Sequence, residues 1–281
     1  MPRAVVLTTQ SKLNITGGSW ADTLSANSGD STTVVNYDSG EAWIREAWAI
    51  DSDSVMEGRI IYTRPESTHD QSQGYRFMVP AVALGGAGTN AAFDILPGRD
   101  GIKVFKSDTC TINVTGTAND DVLVSYVIEY DDMPGVAAVF ASWDQVQSMR
   151  VSDLGLRCDA VASATAGAYG TARSFTADDS GRLHANTWYA LLGASVQTQV
   201  ATISLLGADW GGQRIGFPAG ALDLNSNQWF LDQSVKWGRP FIPCFNSNNA
   251  PGINVVVADD KASTSPKIDF RLVELSGKPG A

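Results

Sequence analysis

One phrase occurs twice in this chain. Gly74-Tyr75-Arg76-Phe77-Met78-Val79-Pro80-Ala81-Val82-Ala83-Leu84 returns as Gly212-Gln213-Arg214-Ile215-Gly216-Phe217-Pro218-Ala219-Gly220-Ala221-Leu222, with six of the eleven positions identical at an offset of 138. The echo continues downstream. Gly98, Arg99, Ile102 and Phe105 reappear at the same spacing as Gly238, Arg239, Ile242 and Phe245. Ile112-Asn113-Val114 reappears as Ile253-Asn254-Val255, and Val127-Ile128-Glu129-Tyr130 aligns with Leu272-Val273-Glu274-Leu275 at an offset of 145. Turns drift in length while strands keep their order, so the pattern reads as a tandem duplication of one β-unit.

The 281 residues accommodate two such units, each of about 140 residues, a common domain size. With 43% hydrophobic residues, eight Trp, ten Phe and seven Tyr, each copy has material for its own core. Charged residues make up only 18%, against about 25% in average chains. Either nominal surface is buried between subunits, or the chain is a Ser/Thr/Asn-rich β-protein; composition leaves both open. A net charge of −10 speaks against a protein that wraps nucleic acid, which needs clustered Lys and Arg. Residues 1–15 show no basic arm and no signal-peptide core, and no stretch approaches the ~20 apolar residues of a membrane span. Cys110, Cys158 and Cys244 are odd in number and widely spaced, which predicts buried reduced thiols rather than a disulfide framework or metal knuckle. This is the cysteine usage of a protein made and assembled in a cytoplasm.

Nearly every periodic segment has period two. Val122, Val124, Tyr126, Ile128 and Tyr130 share one face, as do Ile253, Val255 and Val257, and Ile268, Phe270 and Leu272. That alternation predicts half-buried strands. Asn-, Asp- and Gly-rich clusters at Asn27–Asp30, Ala118–Asp121, Asp178–Gly181 and Asn246–Asn249 punctuate them as turns. About eight strands per copy follow. Asp131-Asp132-Met133-Pro134-Gly135 marks the boundary between units at 1–135 and 136–281. Val136, Val139, Phe140, Trp143 and Val146 fall at helical spacing, predicting one short helix over 137–149 at the join. The tail 276–281 reads as disordered. Pro80 and Pro218 are expected to end their strands, since proline cannot donate to a ladder. Arg76, Arg214, Arg99 and Arg239 read as architectural, in carboxylate pairs between strands or subunits. Trp20, Trp143 and Trp210 are candidates for an interface; Trp43, Trp48, Trp188 and Trp229, in strand-like runs, are candidates for the core.

The chemistry of an enzyme is hard to assemble here. The two histidines, His69 and His184, sit at non-equivalent points of the repeat and read as surface residues. There is no His-x-His pair for a cupin metal site, no EF-hand spacing, and no phosphate-binding glycine loop. Asp51 with Asp53, and Asp178 with Asp179, are acidic pairs that could serve a cation or a hydrolase, or simply be solvated turns. No cofactor is expected.

Two tandem β-sandwiches with little helix and no catalytic set resemble the double jelly-roll major capsid proteins of tailless icosahedral viruses, notably bacteriophages with an internal membrane. The resemblance spans the whole chain and rests on architecture rather than on a signature motif. It implies an all-β fold of two tandem eight-stranded jelly-roll β-sandwiches and a homotrimer of pseudo-sixfold outline. Its implied partners are neighbouring capsid trimers and other virion proteins, penton and minor capsid proteins among them. The implied location is the virion, after synthesis in the host cytoplasm. The acidic balance implies no direct nucleic-acid binding. Family members often carry an N-terminal helix or basic stretch, which residues 1–15 lack, so any membrane association is expected to be indirect. The alternative is a β-sandwich glycan-binding, spike or receptor-binding protein, with Asp209–Gln213 and Asn225–Trp229 as sugar-stacking loops.

Overall fold

The computed structural model describes residues 4–18, 20, 22–27, 30, 42–51, 56–62, 75–79, 93–96, 101–104, 110–131, 137–161, 163–165, 167–197, 200–219, 226–259 and 266–280. The fold is all-β, built from four antiparallel sheets with few helices. Up to residue 131 the strands are β1 (Ala4–Lys12), β2 (Asp22–Thr23), β3 (Ser25–Ala26), β4 (Ala42–Asp51), β5 (Met56–Tyr62), β6 (Tyr75–Val79), β7 (Phe93–Asp94), β8 (Ile102–Val104), β9 (Cys110–Thr115) and β10 (Val122–Tyr130). From residue 137 they are β11 (Phe140–Ala141), β12 (Arg150–Asp159), β13 (Arg173–Ser174), β14 (Trp188–Val196), β15 (Val200–Leu206), β16 (Arg214–Ala219), β17 (Ile242–Asn246), β18 (Asn254–Ala258) and β19 (Lys267–Leu275).

The pairing order repeats. The first half forms β3-β1-β10-β4-β7, with β8 also on β4, facing β2-β9-β5-β6; the second forms β12-β19-β14-β17-β11 facing β13-β18-β15-β16. In each half the first long strand lies beside the last. The sequence echoes fall on matching strands: Arg76 and Arg214 on β6 and β16, Ile102 and Ile242 on β8 and β17, Asn113 and Asn254 on β9 and β18. The last echo is displaced by one residue. Glu129 lies across from Val5 on the outer face of its sheet, whereas Glu274 shares the inner face with Leu272 and Phe270. A one-residue slip exchanges faces because side chains alternate with period two.

The first core lies between sheets, with Ile44, Val124, Tyr126 and Ile128 against Ile60, Phe77, Ile112 and Val114. Strand β10 was expected to be half buried. It is buried at all nine positions, because its other face packs on the second half. There Val5, Leu7, Trp48 and Val127 join the core of Ile203, Leu205, Ile215 and Phe217. Leu123 and Ile50 meet Ala201 and Ala258 nearby. A bulge in β4 makes this possible. Val127 lies opposite Glu46 and Ile128 opposite Ile44, so Arg45 is the extra residue. The alternation shifts there, and Trp43, Glu46, Trp48 and Ile50 share the outer face while Ile44, Ala47 and Ala49 face the first core.

The helix at the join is shorter than predicted. It is α1 (Trp143–Met149), and Phe140 lies in β11 instead. Ser142 stops the chain from being helical earlier: its hydroxyl accepts from the amide of Gln145, whose side chain accepts from the Ser142 amide, a capping box. A second helix, α2 (Trp229–Trp237), was read as strand-like from Trp229; it buries Trp229 and Phe230 and ends at Gly238 in the left-handed conformation. Residues 276–280 are packed rather than disordered. The amide of Ser276 donates to the Met149 carbonyl, Lys278 sits over the Trp188 ring, and Pro279 is buried. The predicted boundary falls largely on 132–136, outside the described residues, as does Pro80. Pro218 lies inside β16, one residue before its end. It is tolerated because β16 is an edge strand whose ladder with β15 is irregular between Val200 and Ile203.

Close approach across the seam explains one difference between the repeats. Position 216 is glycine where its counterpart is Met78. A Cβ at 216 would lie 2.3 Å from the Ile203 carbonyl oxygen and 2.5 Å from Leu7 Cδ2, while Met78 is 62% exposed. Gly216→Ala is therefore expected to destabilise the chain by about 1–3 kcal/mol through overpacking. Met78→Ala should stay within about 0.5 kcal/mol. Thermal unfolding of the two variants side by side checks this.

Candidate functional site: the seam between the halves

Among the described residues, several buried polar side chains meet across the seam. A line of hydroxyls crosses it. Thr9 Oγ1 and Ser125 Oγ lie 2.9 Å apart, Ser125 Oγ and Thr202 Oγ1 2.7 Å, and Trp48 Nε1 donates to both Thr202 Oγ1 and the Ala201 carbonyl at 3.0 Å. The Trp48 ring meets Trp229 edge-on, 5.8 Å between centroids. Ser125 is buried on the face of its strand that it shares with Leu123, Val127 and Glu129; its hydrogen bonds remove the desolvation cost that would otherwise expel it.

Three carboxylates flank this line. Glu129 lies 2.7 Å from Arg45 Nε and 3.6 Å from Arg239 Nη1, which also reaches Asp131 at 3.1 Å. The Arg45 guanidinium is stacked between the rings of Trp43 and Trp237, 4.7 and 4.9 Å from their centroids. Asp30 accepts from the Thr9 amide at 2.9 Å and from the Tyr169 hydroxyl at 2.7 Å, and lies 2.9 Å from Arg214 Nε. Arg214 in turn covers the Tyr169 ring. Glu46 lies 2.6 Å from Lys236 Nζ and accepts from Trp237 Nε1 at 3.0 Å. Burial pushes the Asp30 carboxyl up to about 6, against the opposing pull of Tyr169, Thr9 and Arg214. Burial likewise pushes Glu46 up to about 7, against Lys236. All three acids come from the first half, and Arg214, Lys236 and Arg239 all come from the second.

Two of the four repeated arginines, Arg214 and Arg239, thus make carboxylate pairs, and they do so within one chain across the seam. Arg76 is exposed on the outer face of β6, with its guanidinium 5.8 Å from the centroid of Trp20; Arg59 lies 4.5 Å from the same ring. Arg99 lies outside the described residues. Trp143 is half-buried on the second core. Trp210 cannot be an interface residue: it is fully buried, donates from Nε1 to the Cys244 carbonyl at 3.1 Å, and packs on Phe245. Among the core candidates, Trp48 and Trp229 are buried, while Trp43 and Trp188 are half-buried.

The acidic pairs have local tasks where they are described. Asp178 and Asp179 accept from the amides of Asp159 and Arg157, capping the outward N–H groups of β12. That strand is an edge that would otherwise offer itself for pairing. A bond from Arg173 holds the Asp178 carboxyl below its ordinary range. Asp51 ends β4, while Asp53 and His69 lie outside the described residues. His184 is exposed, with Nδ1 3.1 Å from Glu274. Glu274 also accepts from Ser152, which places a carboxylate between hydroxyl and imidazole rather than the imidazole between carboxylate and hydroxyl, as a nucleophile needs. Among the described residues no group of three or more His, Cys, Asp or Glu could hold a metal ion, and no helix is long and apolar enough to cross a membrane. Cys158 and Cys244 are free and buried; burial pushes the Cys158 thiol up to about 12 and raises that of Cys244 as well.

The seam residues Asp30, Glu46, Glu129 and Lys236 were not singled out by the sequence. A signal existed: Glu46 and Glu129 stand within largely apolar strands, Ala42–Asp51 and Val122–Tyr130, and a charge embedded in such a run needs a buried partner. One further cleft, of about 500 Å³, lies at the edge of β5 and β6, lined by Glu57, Tyr75, Arg76, Met78 and Asp94 among others. Compared with protein-family models and with curated proteins, the chain matches none.

Removing the Glu129 carboxylate leaves the buried Arg45 guanidinium without its 2.7 Å partner. Glu129→Ala is expected to lose about 3–5 kcal/mol of stability, read by chemical denaturation. Cys158 and Cys244 should resist alkylation in the folded chain and react once it is unfolded, as mapped by mass spectrometry of the labelled peptides.

Proposed function

We propose that this chain is a structural shell subunit, a double jelly-roll capsid protein that associates as a trimer of pseudo-hexagonal outline. The observation that carries the reading is the repeated strand order, two sheets per half with the first long strand beside the last in both. Paired sheets of this kind are how jelly rolls bury their strands. A chain with two similar halves offers each neighbour two similar edges, so three chains can close a ring with six comparable contacts.

The repeat also nominates a contact surface. In the second half the outer side of β15 and β16 is covered by β1, β4 and β10. The matching side of β5 and β6 in the first half carries Trp20, Arg59, Arg76 and the exposed Met78. We assign that side to a neighbouring chain. Further proposed partners are adjacent trimers and penton or minor capsid proteins. The net charge of −10 supports a shell that leaves genome contact to other components. A glycan-binding reading has less support: Trp210 and Trp229, the aromatic residues of its two candidate loops, are both buried.

Multi-angle light scattering of the purified chain, followed by negative-stain microscopy, tests the proposal. A particle of three times 29.8 kDa with a hexagonal outline is expected. A stable monomer at high concentration would overturn it and direct attention to glycan screening. Met78→Asp should weaken the trimer at least about tenfold while leaving the fold of the chain intact.

A further inference from the structure

The three seam carboxylates are held differently. Glu129 and Asp30 each face a planar guanidinium with fixed geometry, from Arg45 and Arg214. Asp30 has two further donors in the Thr9 amide and the Tyr169 hydroxyl. Glu46 faces an ammonium on a flexible stem. Its own side chain is 2% exposed, while that of Lys236 is 31% exposed. A small rotation of that stem takes the ammonium into water. The second group on Glu46 is the indole N–H of Trp237, at 3.0 Å. An N–H donor bonds a carboxylate more strongly, but it can also bond the carbonyl oxygen of a neutral carboxyl. Adding a proton to Glu46 therefore keeps Oε1 hydrogen-bonded and removes a buried charge, while the partner that loses its counter-charge can reach solvent.

The surrounding charges agree with this. Asp94 on β7 opposes the ionised form of Glu46. Arg45 stacks on Trp237, but its guanidinium is engaged by Glu129. Asp232, one turn before Lys236 on α2, accepts from Gln228, and Lys103 on β8 lies over Trp43. We propose that Glu46 is a proton switch in the seam: on mild acidification it binds one proton from solvent, Lys236 turns outward, and the two halves hold together more tightly. Above neutrality the carboxylate is ionised, depends on Lys236, and the joint is weaker. The sign follows from linkage. A carboxyl that binds its proton more tightly when folded contributes stability present below its ordinary range and lost as pH rises through its folded value. The inference stands independently of the capsid reading.

Infrared difference spectra of the whole chain, taken between about pH 8 and about pH 5, read the proton directly. The wild type should gain a buried carboxylic-acid C=O band that Glu46→Gln lacks. Lys236→Met, a change on an exposed stem, should move the midpoint of that band to higher pH, because the ammonium favours the ionised form; a merely structural carboxylate would show no such movement. Over the same range the wild-type folded-to-unfolded ratio should rise at least about tenfold more than that of Glu46→Gln. A wild-type spectrum identical to that of Glu46→Gln, or a midpoint unmoved by Lys236→Met, overturns the proposal. If Glu46→Gln does not fold, the Lys236→Met midpoint decides alone.

Discussion

The structure depends on one sheet being buried from both sides. Strands β1, β10 and β4 supply the first core with one face and pack on the second half with the other, so β10 has no exposed position. A strand in that position can keep no polar group that is not paired. Its outer face nevertheless carries Ser125 and Glu129, and the neighbouring strand carries Glu46. Hydroxyl-to-hydroxyl bonds answer Ser125, Arg45 and Arg239 answer Glu129, and Lys236 with the Trp237 indole answers Glu46. Apolar burial pulls the halves together, while the polar pairs determine how they sit, since a shifted arrangement would leave buried charges unpaired.

The distribution of charge makes the joint directional. In the ion pairs that cross the joint, every acid belongs to the first half and every base to the second, so neither half could replace the other or pair with its own kind at this surface. The β4 bulge at Arg45 is part of the device. It shifts the alternation so that Glu46 and Trp48 reach the seam and Ala47 and Ala49 turn to the first core. The extra residue, Arg45, lies against Glu129, clamped between two tryptophan rings.

Divergence after duplication is readable at matched positions. Arg214 is drawn into a pair with Asp30, while Arg76 stays exposed beside Trp20. Gly216 makes room for Leu7, while Met78 projects from the sheet. Two copies of one strand have become an internal seam in one half and an outer surface in the other. The same logic separates the edges. The long edge strand β12 is protected by the carboxylates of Asp178 and Asp179, whereas β1 is paired with β3 and takes Asp30 on the Thr9 amide.

Period-two runs, turn clusters and the internal repeat were enough to establish an all-β chain whose two halves share a strand order, because alternation and turn chemistry act locally. The placement of Trp48, the thiols of Cys158 and Cys244 and the exposure of His184 were legible for the same reason. The length of α1 was not, since a capping box at Ser142 outweighed apolar spacing that continued upstream. The helix at Trp229–Trp237 was hidden too, because its aromatic residues resemble a strand run and its burial comes from packing on Phe217, Phe241 and Trp48. The seam itself was decided by tertiary structure alone. Which face of β10 is covered, which acid meets which base, and that Glu46 lies beside Lys236 depend on contacts about 190 residues apart in sequence, and no local pattern encodes them.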